Sequence, residues 1–374
     1  MKRASFAFIL LFILASLSAH PWKPRHYVIV DTDGGIDDRK AICLLLASPD
    51  VRILAITVSD GFHKSPEAYK IVRTMLDSLW HEGLPMASGT EAIKLIEECL
   101  NGETSPVTFI ALGSLKTAAE AMTGAPSFTR KVRQIIWSNE GLPGKEGFNF
   151  KAAPGAADKV LSGPLPVSVI GMGNEAFYND AFFIEISKPV QRMQVIKSFP
   201  QDTSFYMTDL QPFAEEIRNK YGEDEWVSGV IANELHRHLG VFAIIGVKMG
   251  IRAREYFCTG VDEMTVTSHA GSTPPLSCMN DGVQVSTGAT PGHGLLTVST
   301  ETPFYPAADF THKGKTIRIT LKKELAEKVS SELKEINFVN GLDSDIYWEL
   351  VRKNSIKYWL QFDRHSIFDI AVIN

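Results

Sequence analysis

The densest chemistry in the sequence lies between Val28 and Ala41, in VIVDTDGGIDDRKA, where Asp31, Asp33, Asp37 and Asp38 fall within eight positions directly behind an apolar run. Carboxylates this close raise one another's pKa unless a cation or a shared proton compensates. A hard divalent ion is the natural compensation. Calcium takes several oxygen ligands, carboxylates and backbone carbonyls among them, and Gly34 and Gly35 let the chain bend so that aspartates on both sides of the turn converge. Asp37 and Asp38 also have a plainer use, in capping a helix and pairing with its dipole. That use leaves Asp31 and Asp33 unexplained.

A second set of chemically competent residues stands far along the chain. His236 and His238 are two positions apart, which on a regular helix points them about 200° from each other. At a helix start or in an extended turn they can face the same way. Cys278 and Asp281 form another pair, expected in a loop ahead of a strand GVQVST, and His293 stands between glycines. Read alone, the histidine pair is a solvated helix end.

The elements that must hold these residues follow from hydrophobic patterning. From Tyr27 to about Lys197, Val/Ile-rich runs (HYVIV, VRILAITV, VTFIAL, RQIIWS, LPVSVIGM) alternate with helical ones (Asp38 to Ala47, PEAYKIVRTMLDSLW, KTAAEAMTG, AAPGAADKVLS). Continuous apolar strands are the mark of a sheet covered on both faces by crossover helices, so an α/β unit with a mainly parallel sheet is expected. Ligands of such sheets bind beyond the carboxyl ends of the strands, where DTDGGIDD falls. After the polar stretch FPQDTSFYMTDLQPF the order changes. A helix from Asp224 through His238, a glycine-spaced helix, strands DEMTVTSHAG and GVQVSTGAT, a strand KTIRITL and an amphipathic helix KELAEKVSSELKEI predict an α+β unit.

At 374 residues and 44% hydrophobic, the chain is long enough for two cores. A net charge of -5 with no basic block after the first residues argues against nucleic acid and for a small-molecule partner. Lys2 and Arg3, the apolar run Phe6 to Leu17 and the small residues Ser16, Ser18 and Ala19 read as an export signal, shorter than a membrane span. A periplasmic or secreted protein with no stable membrane anchor after cleavage is expected. Cys43, Cys99, Cys258 and Cys278 lack the spacing of a disulfide framework, and Cys43, in an apolar helical run, reads as a core residue. The organisation predicted is a signal over 1–20, an α/β domain over 25–200, an α+β domain over 205–345 and a C-terminal extension over 346–374.

At Asp31, Asp33, Gly35, Asp37 and Asp38 the chain resembles the inosine-uridine preferring nucleoside hydrolases, whose hallmark is an Asp-x-Asp-x-Gly-x-Asp-Asp turn after the first strand. The resemblance implies a Ca2+ site and hydrolysis of the N-glycosidic bond of a nucleoside. Asp33 would be calcium ligand and general base, Asp38 a calcium ligand and Asp37 a partner of the ribose hydroxyls, with Asp31 a further ligand of the same calcium site. FIALGSLKTAAEA is similar to the family segment that lends calcium a backbone carbonyl, here from Lys116, and EGFNFKAAPGAADKV to its Glu-Phe-Asn segment, which makes Asn149 a sugar ligand. Gly147 stands where the family has its glutamate, Ala153-Pro154 replaces Asp-Pro, and the family's C-terminal His-Asp pair has no counterpart that can be placed. Two further readings stay open. One is a binding protein that kept the cation turn and lost catalysis. The other is a haloacid dehalogenase-type phosphatase, whose motif also begins with a strand and Asp-x-Asp.

From about Glu223 to Ile336 the chain resembles the FmdE family, named for formylmethanofuran dehydrogenase, through HRHLGVF, CMNDGVQVSTGAT and GHGLL in the same order. The resemblance makes His236, His238, Cys278 and Asp281 candidate ligands of Zn2+ or another transition metal. Gly240 takes the place of the family's first cysteine and Val241 that of its proline, which points away from a redox or soft-metal role.

Overall fold

The computed structural model describes residues 24–48, 50–139, 146–171, 196 and 198–373. The run expected to direct export, residues 1–20, lies outside them, as does most of GMGNEAFYND, the segment matched to the phosphatase pattern. Contacts divide the chain into two compact units, Pro24–Arg192 with Arg254–Gly260, and Met193–Ala253 with Val261–Asn374. Among the described residues no helix is long and apolar enough to cross a membrane.

The N-terminal unit carries the expected parallel sheet. Its strands are β1 (His26–Thr32), β2 (Val51–Val58), β3 (Met86–Ser88), β4 (Val107–Ala111), β5 (Val132–Ser138) and β6 (Val167–Ile170), in the order β3-β2-β1-β4-β5-β6. Every pairing is parallel. The period of two sorts side chains between two cores. Val28, Val30, Ile110 and Ile136 pack on one face with Ile42, Val72 and Leu76. Ile29, Phe109, Ile135 and Trp137 pack on the other with Ile96, Leu100 and Phe128. Helices Ile36–Ala47 and Ser65–Ser78 cover the first face, and Thr90–Gly102, Lys116–Gly124 and Pro154–Leu161 the second. Strand order reverses between β1 and β4, so a crevice opens beyond their carboxyl ends, beside Asp31 and Leu112. Cys43 corrects its expectation: it is exposed, because Asp38, Ile42 and Leu45 define the buried side of its helix and Cys43 falls with exposed Leu44 on the other.

The C-terminal unit is helical with a mixed sheet, β7 (Thr265–Ser268), β8 (Leu296–Val298), β9 (Ala307–His312), β10 (Lys315–Leu321) and β11 (Phe368–Val372), in the order β11-β10-β9-β7-β8. The β7–β8 pair is parallel and the others antiparallel. GVQVST is not the expected strand. It lies in the helix Met279–Thr287, whose buried residues Met279, Gly282, Val283, Ser286 and Thr287 follow helical spacing. The alternation of Val283 and Val285 mimics a strand, yet Ser286 and Thr287 turn their hydroxyls back onto the carbonyls of Gly282 and Val283.

Glycines explain why this helix lies so close to the helix Val241–Phe257. A Cβ on Gly282 would stand 1.9 Å from the Ala243 carbonyl oxygen, and one on Gly246 2.1 Å from that of Met279. Gly282→Ala is therefore expected to force the two helices apart and cost about 1–3 kcal/mol, read as a lower denaturation midpoint in urea. An unchanged midpoint would show that the contact tolerates a methyl group.

Candidate functional site

The four aspartates leave β1 in two roles. Asp31, fully buried, accepts hydrogen bonds from Thr57 Oγ1 at 2.7 Å and Ser59 Oγ at 2.8 Å. A third comes from the side chain of Thr117. Burial nevertheless pushes its pKa up to about 7, against the pull of those three hydroxyls. Asp38, 4% exposed, receives Thr32 Oγ1 at 2.6 Å and the Asp33 amide at 3.1 Å on its Oδ2. Burial first, and then the charges of Asp33 and Asp37, raise it to about 8. Neither Asp37 nor Asp38 makes the side-chain cap that local reasoning allowed: the helix Ile36–Ala47 begins at Gly35 without one.

Asp33 is held by two amides, Gly35 N–H to Oδ1 at 3.2 Å and Phe62 N–H to Oδ2 at 2.9 Å. It lines a cavity of about 310 Å³ with Asp37, Asp38, Phe62, Leu112 and Asn149. Asn149 donates both hydrogens of its amide, to the Leu112 carbonyl at 2.7 Å and the Ser138 carbonyl at 2.8 Å, which leaves Oδ1 as its acceptor. Asp33, Asp37, Asp38 and Asn149 thus meet at one cavity. Asp31 sits behind it, and exposed Lys116 opens the helix Lys116–Gly124. Sequence reasoning missed Thr32, Thr57, Ser59 and Thr117, whose hydroxyls make the aspartates tolerable. Of these only Thr32, a polar residue closing an otherwise apolar strand, had a local signal.

The donor chemistry fits a hard cation: buried carboxylates held partly protonated for want of a compensating charge. Among the described residues no three His, Cys, Asp or Glu side chains gather closely enough to hold one ion. Carbonyls, waters or substrate hydroxyls would have to complete the shell around Asp33 and Asp38.

In the C-terminal unit the helix Glu223–His236 ends with Arg237 in the left-handed region, at φ 70°. The chain doubles back, and the His236 and His238 rings come to 4.2 Å between centroids. Asp281, in the first turn of the helix Met279–Thr287, takes a 2.7 Å hydrogen bond from His236 Nδ1. Cys278 lies in the short 3-10 turn Leu276–Cys278, and burial together with Asp281 pushes its thiol up to about 11. Burial, reinforced by His236, lowers the pKa of His238. Among the described residues no three His, Cys, Asp or Glu side chains gather here as a closed transition-metal site would require. His293 stands apart, 3.4 Å from Asp262.

The family model described as inosine-uridine preferring nucleoside hydrolase matches residues 28–93, and that described as FmdE, molybdenum formylmethanofuran dehydrogenase operon, matches residues 235–345. The pyrimidine-specific ribonucleoside hydrolase RihA of Citrobacter koseri is 26% identical over 186 residues, covering 39% of this chain and 59% of the relative. RihA of Enterobacter sp. (strain 638) gives the same figures. The chain thus spans less than two thirds of these relatives' length. A solved plant nucleoside hydrolase, the PpNRh1 enzyme, is 26% identical, with 40% of this chain and 60% of that one covered and a TM-score of 0.35. Neither matched family is a phosphatase.

The folded N-terminal unit holds the protons of Asp31 and Asp38 more tightly than an unfolded chain does. In the presence of a chelator its thermal stability is therefore expected to fall as pH rises from 3.8 through about 7 and about 8. Scanning calorimetry across that range checks it, with Asp31→Asn flattening the slope; a flat wild-type profile would contradict it. Taken together, the chain joins a nucleoside hydrolase-like N-terminal part to an FmdE-like C-terminal one.

Proposed function

We propose that the N-terminal unit hydrolyses the N-glycosidic bond of a nucleoside. The observation that carries this reading is the cavity at the sheet's switch point, where Asp33, Asp37, Asp38 and Asn149 meet. Nucleoside hydrolases typically depend on Ca2+. Here Asp33 and Asp38 would hold it, with Asp31 buried behind them. Bound there, the ion supplies charge compensation and acidifies a water.

The remaining work falls to this chain's own groups. Asp33, aimed by the Gly35 and Phe62 amides, accepts the proton of the attacking water as positive charge develops on the sugar ring. Exposed Asp37 and Asn149 Oδ1 accept hydrogen bonds from ribose hydroxyls. Phe62 and Phe148, 68% and 51% exposed, offer apolar surface to the base. In the FmdE-like part, a family associated with metal binding, His236, His238, Cys278 and Asp281 are the candidate ligands. Lys2, Arg3 and the apolar run after them support export, which sequencing the mature N-terminus would check.

Purified protein offered a nucleoside panel is expected to release free base with Ca2+ and not with chelator. Asp33→Asn should lower turnover by about 10²–10⁴-fold while the fold is kept. If no nucleoside is cleaved although calorimetry shows Ca2+ binding, the hydrolase reading fails.

A further inference from the structure

The C-terminal unit contains a cavity of about 920 Å³ that the proposed reaction does not use. Its volume falls in the range of small-molecule sites. The walls grade from buried Val241, Phe242 and Val351 to exposed Phe304, Leu342 and Trp348, so an apolar floor opens through an apolar mouth. Tyr305, in the same wall, is braced from behind. It stacks on His269 at 5.3 Å and 11°, and His269 is held by Asp309 at 3.0 Å, itself gripped by Arg318 through two nitrogens. Such a lining favours a ligand with an apolar body. Trp348 and Val351 lie beyond the FmdE match, which ends at residue 345.

One wall carries polar groups at the exposed edge. Ser330, Lys334 and Asn337 follow one another at four and three positions along the helix Lys323–Asn340, the spacing that aligns side chains on one helix face, and all three line the cavity. They bring a hydroxyl, an ammonium and an amide. Lys334 and Asn337 are exposed, and among the described residues none of the three side chains has a hydrogen-bond or ion-pair partner. Lys334 is the one lysine or arginine among the described lining residues. Neither nearby acid in the sequence neutralises it. Glu332 is taken by Lys357 at 2.9 Å, and Asp343, which lines the same cavity past the helix end at Gly341, forms no ion pair with Lys334. The cavity therefore sets an apolar interior beside a cation that lacks a counter-ion and has two neutral donors on its own helix face.

We infer that this cavity binds an amphipathic monocarboxylate, its apolar body among Val241, Phe242 and Trp348 and its carboxylate at Lys334 and Asn337. Burial of the body supplies the affinity, and the charge-assisted bond at the edge selects the head. Asp343 on the same wall limits the charge that can be accepted, and favours a monoanion over a dianion.

The test titrates metal-stripped, full-length protein with octanoate, with decanoate and with 1-octanol, which keeps the chain and lacks the charge. Calorimetry gives the affinities, and the emission of Trp348 reports entry. Saturable binding of octanoate is expected, with decanoate tighter by about three- to four-fold for each added CH2 and octanol weaker than octanoate by about five-fold. Lys334→Met, at an exposed position, keeps the stem and removes the charge, and should bring octanoate down to the affinity of octanol while octanol itself is unmoved. Asp343→Asn, also exposed, removes the like charge from the wall and should raise octanoate affinity by about two-fold. Equal affinity for octanoate and octanol in the wild type overturns the inference. So does a Lys334→Met protein that still prefers the carboxylate, an absence of saturable binding up to the solubility of the probes, or binding that appears only after Zn2+ is restored, which would make a metal the recognising group.

Discussion

A carboxylate buried beneath an apolar sheet sets the terms for the N-terminal unit. Asp31 is wholly enclosed at the end of the central strand, and a lone carboxylate in that position would cost several kcal/mol. The fold answers with hydroxyls from three places: Thr57 at the end of β2, Ser59 in the loop beyond it, and Thr117 at the head of the helix Lys116–Gly124. Each bond ties a neighbouring element to β1. The turn that follows is positioned from this anchor, with Asp38 accepting from Thr32 and Asp33 oriented by two amides. Gly61 completes the arrangement, since a Cβ there would lie 2.0 Å from Asp33 Oδ2.

The C-terminal unit solves a similar problem with opposite charges. Glu225 and Lys248 are fully buried and bonded to each other, with Arg364 at 3.0 Å from the second Glu225 oxygen and the Tyr221 ring 3.6 Å from the Lys248 ammonium. Burial draws Lys248 down to about 8 despite its partner. Such a cluster adds little net stability, but removing one member strands the others, so it fixes which helices lie together. Here it joins the helices Glu223–His236 and Val241–Phe257 to the chain after Asp345–Gln361. The connection between the first two of these helices is therefore short and constrained, and Arg237 absorbs the turn that brings His236 and His238 together.

How much of this was legible depends on the range of the interaction. The parallel sheet could be read because each strand is a continuous apolar run, and the aspartate turn because four carboxylates stand in one short segment. The histidine pair was ambiguous, because a two-residue spacing separates side chains in a helix and joins them only if the residue between turns left-handed, which Arg237 does without being glycine. GVQVST misled because two valines at alternate positions satisfy a strand pattern while Gly282 and Ser286 answer to a neighbouring helix. The helix Thr90–Gly102 escaped notice although Ala92, Ile96 and Leu100 mark one face. The strand Phe368–Val372, exposed at four of its five positions or only half-buried there, has almost no apolar pattern of its own and is defined by pairing with β10. Partners distant in sequence, such as Thr57 and Ser59 for Asp31, have no local signature.

The character of the N-terminal cavity also bears on what it can accept. Among the described residues its lining includes three carboxylates and no lysine or arginine, and the amide hydrogens of Asn149 are spent on backbone carbonyls. Such a surface accepts hydrogen bonds and offers few. A phosphate ester brings two negative charges and only acceptors, so it meets repulsion at Asp37 and no compensating donor. A sugar diol brings two O–H donors and no charge, and satisfies acceptors that water would otherwise fill. Under the proposed function, the same acceptors that make the cluster costly to bury would favour a neutral, hydroxyl-rich ligand over its phosphorylated form.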